Sequence, residues 1–400
     1  MPGFTDLRWQ QMTDKLNDDP ERWGCPVRRD DSVVIGSFNA LKLGKDNNSD
    51  KRWEFLERFV SRFDLIAIQE VMDDLSGIRR LQRDCGSKFE LLVSDTTGAA
   101  PGDGGLKERL AFLYHRDRIE LKELVSDITY DRSNIAKNLH RDIDLWTQFF
   151  KDFDDTNAAR VAQGKKKISL SKKSLPAFLD FIRTPHCAAF VIKGKGSGDD
   201  IEFLALNAHT LYGNSKKERK REFDALFEWL VKRAKSRDTM YFKNMIILAD
   251  LNMMFNNADT QLSDIIKKIH DLGSHFFADD GDVRVNFPFL DVHPDETQLF
   301  NTNARSNQTF DHVAFFVDPD EHNLPLESAN RNAGKTNGVE DLNAYNYGVF
   351  NFVELASETL HGTNYFSLTD DQQDSLISRI NDDVSDHMPI WARIPIPGAS

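Results

Sequence analysis

The hydrophobic pattern of this chain is built from short apolar runs that end in polar residues. SVVIGSFNA, from Ser32, and DLIAIQEV (64–71) read as buried strands. KFELLVS (88–94) and ERLAFLYH (108–115) follow, separated by the loop GAAPGDGG. HCAAFVIK (186–193), IEFLALNAH (201–209), NMIILAD (244–250), TFDHVAFFV (309–317) and HMPIWARI (387–394) continue the series. Between them, KRWEFLERFVSRF (51–63) places Trp53, Leu56, Val60 and Phe63 near a helical period, with Phe55 and Phe59 widening the stripe. Helices are also expected over 216–235 and 261–271. Residues 1–30 are polar and show no alternation, and read as an N-terminal extension packing on the surface, with no helix marked in it. Residues 131–182 are charged and lack strand alternation. IDLWTQFFKDF and LPAFLDFI there fit amphipathic helix, so the segment reads as a helical insertion. The Asn-, Gly- and Asp-rich stretch 318–348 reads as a long loop, and no internal repeat is present. Strands alternate with helices but several are adjacent, which predicts mixed sheets with helices outside, in one large domain over 31–396.

Composition narrows the function classes. The 400 residues carry 51 Lys+Arg against 64 Asp+Glu, a formal charge of −13. That argues against a passive coat for a polyanion, but not against an enzyme that meets phosphate through a metal ion. No apolar run approaches the roughly 18 residues of a membrane span. The N-terminus lacks the apolar core of a secretory signal. Three scattered cysteines (Cys25, Cys85, Cys187) make neither a disulfide framework nor a CxxC pair. A reducing, cytoplasmic location is expected.

The informative feature is where polar residues fall. Six apolar runs carry an acid, amide or His at or beside an end: Asn39, Glu70, His209, Asp250 with Asn252, Asp311, and Asp386 with His387. Packing needs none of them, and strand ends are where ligand sites gather in layered folds. Singly, Asn39 reads equally as a turn residue, Glu70 as a helix cap and His209 as a core histidine. Together, SFNA, IQEV, LNAHTLYG, LADLNM, TFDHVAFF and SDHMPI stand in the order found in the endonuclease/exonuclease/phosphatase (deoxyribonuclease I-like) superfamily, which the chain resembles from about Val33 to Ile394. The SDHxP segment (Ser385, Asp386, His387, Pro389) and the DxN element (Asp250, Asn252) are its most specific parts.

The resemblance implies a four-layer α/β sandwich: two packed mixed β-sheets flanked by helices, with catalytic loops at one edge. It implies a metal-dependent phosphodiesterase, most readily a DNA endonuclease. Glu70 would be the principal ligand of Mg²⁺, or Mn²⁺, with Asp386 and the Asn39 amide oxygen. Such hard oxygen donors suit these ions and not zinc. His387 and Asp311 would form a His–carboxylate pair that assists as base. Asp250 would position the attacking water or assist the metal. Asn252 would bond a phosphate oxygen, and His209 would bond phosphate or protonate the leaving oxygen. ERLAFLY implies that Glu108 buttresses His209, against a solvated strand-start charge. FIRTPHCAAF implies that Arg183 clamps the scissile phosphate, against a loop ion pair.

The basic run KKERKR (Lys216, Lys217, Arg219, Lys220, Arg221) reads either as a solvated helix face or as a rail for a phosphate backbone. Lys165–Lys167 with Lys172 and Lys173 would extend it. The expected partner is nucleic acid, DNA before RNA, with no membrane and no protein partner predictable. The chain departs from the superfamily in having Ala249 where Gly usually precedes the catalytic Asp. It also lacks an extra acid or amide after Asn39, which turns the expectation away from abasic-site specificity. Rivals are a phosphoesterase of the same fold acting on a phospholipid or a small phosphorylated molecule, and a non-enzymatic scaffold.

Overall fold

The computed structural model describes residues 3–46, 48–96, 107–130, 132–170, 173, 175–212, 216–235, 243–253, 284–290, 300–317, 324, 335–336, 339–340 and 347–399. The expected helix 261–271 and most of the expected loop 318–348 lie outside them.

Two six-stranded sheets form the centre. The first contains β1 (Ser32–Leu43), β2 (Leu65–Met72), β3 (Phe89–Val93), β4 (Glu108–His115), β13 (Tyr347–Val349) and β14 (Ile390–Pro395), in the order β13-β14-β1-β2-β4-β3. The second contains β5 (Glu120–Asp127), β6 (His186–Ile192), β7 (Ile201–His209), β8 (Asn244–Asp250), β9 (Arg284–Asn286) and β10 (Asp311–Val317), in the order β5-β6-β7-β8-β10-β9. Both are mixed: β1 runs parallel to β2 but antiparallel to β14, and β7 parallel to β8 but antiparallel to β6. A small ladder, β11 (Lys335–Thr336) with β12 (Val339–Glu340), stands apart.

The layering follows from strand parity. Successive side chains of a strand point to opposite faces. Val33, Ile35, Leu65, Ala67 and Phe112 of the first sheet pack against Phe190, Phe203, Ala205, Ile246, Leu248, Val313 and Phe315 of the second. The opposite face of the first sheet, with Val34, Phe38, Ile66 and Ile68, is covered by α1 (Asp6–Asp18), α2 (Asp50–Val60), α3 (Ser76–Cys85), α7 (Phe352–His361) and α8 (Asp370–Asp383). In the second sheet, Leu204, Leu206, Met245, Ile247, Ala314 and Phe316 face α6 (Lys216–Lys235). The expected four-layer α/β sandwich is what forms.

Three segments differ from expectation. Residues 1–30 contain α1, whose Trp9, Met12 and Leu16 are buried in the outer core of the first sheet. Thr5 caps it by accepting the Arg8 N–H. Its apolar positions are few among charged ones, so the pattern is too sparse to announce a helix. The insertion is helical over α4 (Arg132–Arg141) and α5 (Ile143–Ala162). LPAFLDFI (175–182) is not, and the N–H groups at its two ends are held by α6. Leu175 donates to Glu218 and Ile182 to Glu222, both on α6, while Phe178 and Phe181 pack against Tyr130. Last, α7 and α8 cover ground where the motif pattern marked no element.

Candidate active site

The rows of side chains between the sheets change character toward one edge. On β1 the inward row reads Val33, Ile35, Ser37, Asn39, and on β2 Leu65, Ala67, Gln69. On β7 it ends Ala205, Asn207, His209, on β8 Ile246, Leu248, Asp250, and on β10 it begins with Asp311. Register aligns these ends: Asp250 stands opposite His209 on one side and Asp311 on the other. Behind them a buried amide ladder joins the sheets. Gln69 donates to Ser37 Oγ at 3.0 Å and to Asn207 Oδ1 at 2.8 Å, and Asn207 donates to Ala111 O at 2.9 Å.

Glu70 has the wrong parity for this row, and a backbone irregularity re-aims it. The β1–β2 pairing shifts register between Asn39 and Leu43. Leu41, Lys42 and Glu70 all take positive φ (39°, 55° and 56°), as do Asn252 (48°) and Lys107 beside Glu108 (58°). Left-handed backbone at such residues costs about 1–3 kcal/mol each and gathers at functional sites.

The groups then meet. Asn39 Nδ2 donates to Asp250 Oδ2 at 3.0 Å and to Glu70 Oε1 at 3.2 Å, bridging the sheets, while its Oδ1 accepts the Leu41 N–H. Glu70 Oε2 accepts the Lys42 N–H. Ser385, fully buried, donates its hydroxyl to Asn39 O at 2.6 Å and accepts the His387 N–H, which ties the SDH segment to the end of β1. His387 Nδ1 lies 2.9 Å from Asp311 Oδ2, and its Nε2 3.6 Å from Asp250 Oδ2 and 4.0 Å from Asp386 Oδ1. His209 Nε2 lies 3.4 Å from Asp250 Oδ2. Its buried Nδ1 has no hydrogen-bond partner, and Glu108 Oε2 stands 3.9 Å away. Arg183 pairs through Nε with Glu108 and donates from Nη1 to Thr210 O. Asn252 donates from its backbone to Asp250 Oδ1 and from its amide to Thr210 O, both at 3.0 Å.

All ten residues singled out in the sequence therefore lie in one connected cluster. Arg183 realises the loop ion pair that was its plainer alternative, while Glu108, its partner beside His209, is not the solvated strand-start charge that was its own. The sequence reading missed Thr302, whose hydroxyl donates to Asp311 Oδ2 at 2.7 Å and accepts the N–H groups of Phe310 and Asp311. It also missed the Ser37–Gln69–Asn207 ladder. The only signal for the ladder was a polar residue one or two places before the polar end of its run.

Electrostatics divides the cluster. Burial pushes the Asp250 carboxyl up, with the Asp311 charge adding to this and His387 opposing it. Burial works against a charged His387, but Asp311 and Asp250 together outweigh it, and its pKa lies well above the usual histidine range. Burial, Arg183 and His387 all drive His209 down, so it is neutral. Burial raises Glu70, helped by the nearby Glu108 and Asp386.

A divalent cation fits one side of this arrangement. Asp386 Oδ1 is buried without a partner, and Glu70 faces two other carboxylates with an amide and a backbone N–H as its donors. These are hard oxygen donors in mutual repulsion. Among the described residues, Asp250, Asp311 and His387 also bring ligand atoms within 4.8 Å of one another. The hydrogen bond between Asp311 and His387 engages that set, which suits it to holding a proton.

No protein-family model matches the chain, and no curated protein sequence does. Solved structures are similar to it in fold. The human Nocturnin catalytic domain with bound sulfate is 11% identical over 92% of this chain and 96% of its own, with a TM-score of 0.41. An endonuclease/exonuclease/phosphatase family protein from Bacteroides thetaiotaomicron is 14% identical over 91% and 94%, at 0.41. The D. rerio TDP2 complex with a single strand DNA product is 12% identical over 91% and 99%, at 0.43. With its motifs in superfamily order and their side chains meeting at one edge of a two-sheet sandwich, the chain resembles the endonuclease/exonuclease/phosphatase superfamily in fold.

Proposed function

We propose that this protein is a metal-dependent phosphodiesterase, and specifically a nuclease that cuts DNA. The observation that carries the reading is the convergence of Asn39, Glu70, His209, Asp250, Asn252, Asp311, Asp386 and His387, encoded on separate elements, at one edge of the sandwich. Glu70 and Asp386 would hold Mg²⁺, or Mn²⁺, with Asn39 beside them as the third ligand that the motif implies. Such a cation would supply charge neutralisation at the phosphoryl oxygens and acidify water.

The chain's own groups do the rest. His387, oriented by Asp311, accepts the proton of the attacking water at Nε2, with Asp250 positioning that water. His209, which burial, Arg183 and His387 disfavour as a cation, donates the one N–H of its neutral ring to phosphate; as water adds, the P–O bond to the leaving oxygen breaks and that oxygen takes its proton from solvent. Asn252 and Arg183 hold the remaining phosphate oxygens, and Glu108 fixes Arg183 and stands behind His209. A nucleic-acid substrate is supported by Tyr212, three residues after His209 and 72% exposed, which offers a ring face to a base. The three free cysteines support a reducing, cytoplasmic setting. Among the described residues no helix is long and apolar enough to cross a membrane.

The test is cleavage of supercoiled plasmid, linear duplex, single-stranded DNA, RNA and a phospholipid, with and without metal. Plasmid cleavage should stop in chelator and return with Mg²⁺ or Mn²⁺, and Glu70→Gln should not recover. Cleavage that persists in chelator overturns the metal role. Turnover of the phospholipid alone replaces the nuclease reading with the lipid one.

A further inference from the structure

The basic run on α6 hides an acid. Glu222 is 4% exposed, on a helix whose first turns are rich in Lys and Arg. Burying a carboxylate costs several kcal/mol unless hydrogen bonds repay it. Both its oxygens are in use, and each reaches a different loop of the site. Oε1 accepts the Ile182 N–H at 2.7 Å, one residue before Arg183. Oε2 accepts the Leu211 N–H, two residues after His209. The same two loops meet again at Thr210, whose carbonyl accepts from Arg183 Nη1 and Asn252 Nδ2 and whose N–H donates to Asp250 O at 3.0 Å. Neither loop has a ladder partner at these N–H groups. Without Glu222, two half-buried donors would lose their partner, and the loops would be tied only through the groups that must also meet phosphate.

We infer that Glu222 is a positioning residue of this site: one buried carboxylate fastens the Arg183 loop and the His209 loop to α6, and so fixes the guanidinium against the imidazole across the scissile phosphate. The inference rests on the proposed phosphodiesterase reading. Glu222 touches no substrate. Burial raises its pKa to about 7, against the Ile182 and Leu211 N–H groups and Arg183, which all favour the carboxylate.

The test compares wild type, Glu222→Gln, Arg183→Ala and the double variant, all with Mg²⁺, on one plasmid or oligonucleotide substrate. Glutamine keeps the shape but turns an NH₂ against one of the two N–H donors. A misplacement of about 1 Å can cost about 10²-fold, so kcat of Glu222→Gln should fall by that order while KM moves less than kcat. In the Arg183→Ala background the same change should cost far less, because the group it positions is gone. Multiplicative losses across the cycle, or unchanged kcat in Glu222→Gln, overturn the inference. Should Glu222→Gln not fold, amide hydrogen exchange on the wild type decides. Ile182 and Leu211 should be protected to a similar degree, and free exchange at either overturns the clamp. A wild type that cleaves no phosphodiester with any metal brings down the functional reading itself, which is a separate outcome.

Discussion

At the scale of the residue, the proposed chemistry turns on His387. Asp311 Oδ2 touches its Nδ1, and Asp250 lies beyond its Nε2. Both carboxylates favour the imidazolium, so the pKa stands above the ordinary 6.5 despite full burial. A base works only when deprotonated. Activity should therefore be low in acid and rise with pH, with a midpoint above 6.5. Asp311→Asn removes the largest raising influence, so the midpoint should move down even as turnover falls through loss of ring orientation. A pH–rate profile of wild type and variant checks this, and a midpoint unchanged in Asp311→Asn would mean that another group titrates. His387→Ala should lose about 10²–10⁴-fold in kcat with binding nearly intact. Thr302 belongs to the same scale: its hydroxyl holds the Asp311 oxygen that orients the ring.

At the scale of the element, strand parity explains most of the site. Asn39, His209, Asp250 and Asp311 lie on inward-facing rows whose other members are largely apolar. This part was legible in the sequence, because apolar runs ending in polar residues imply a buried strand emerging at a ligand edge. Glu70 was legible only through its motif. Its aim depends on a register shift and on positive φ, and these answer to neighbouring strands. Element α1 was not legible. Its stability comes from a few large groups placed against another helix: the Trp9 ring lies 5.1 Å from Phe4 and 5.4 Å from Phe55 between centroids. Trp9→Ala should therefore destabilise the chain by about 3–5 kcal/mol, read from urea unfolding. A change under about 1 kcal/mol would mean that Trp9 contributes little to holding the N-terminal segment on the sheet.

At the scale of the whole molecule, the proposed function asks a chain of net charge −13 to meet a polyanion. The tertiary structure revises the candidate rail on α6. Arg219 is buried, Arg221 donates to Leu175 O, and Lys220 stands 3.5 Å from Asp224. The run is thus partly a structural seam. We predict that neutralising Lys216, Lys217 and Lys220 together weakens DNA binding uniformly across sequences. It should flatten the log–log salt slope by roughly 1 for each phosphate no longer neutralised. Titrations at several salt concentrations measure it, and an unchanged slope assigns the run to solvated helix.

The sequence by itself determined the layered α/β class and the residue types of the site, because short apolar runs with polar ends and the chemistry of hard oxygen donors are local properties of the chain. Only the tertiary structure decided which oxygen of which group faces which. Asn39 turns its nitrogen to Glu70 and Asp250, Arg183 lies on Glu108, and Glu222 leaves its basic helix to hold two loops. Most of these partners are distant in sequence, and each pairing exists because a buried charge or N–H must find a partner when the sheets close.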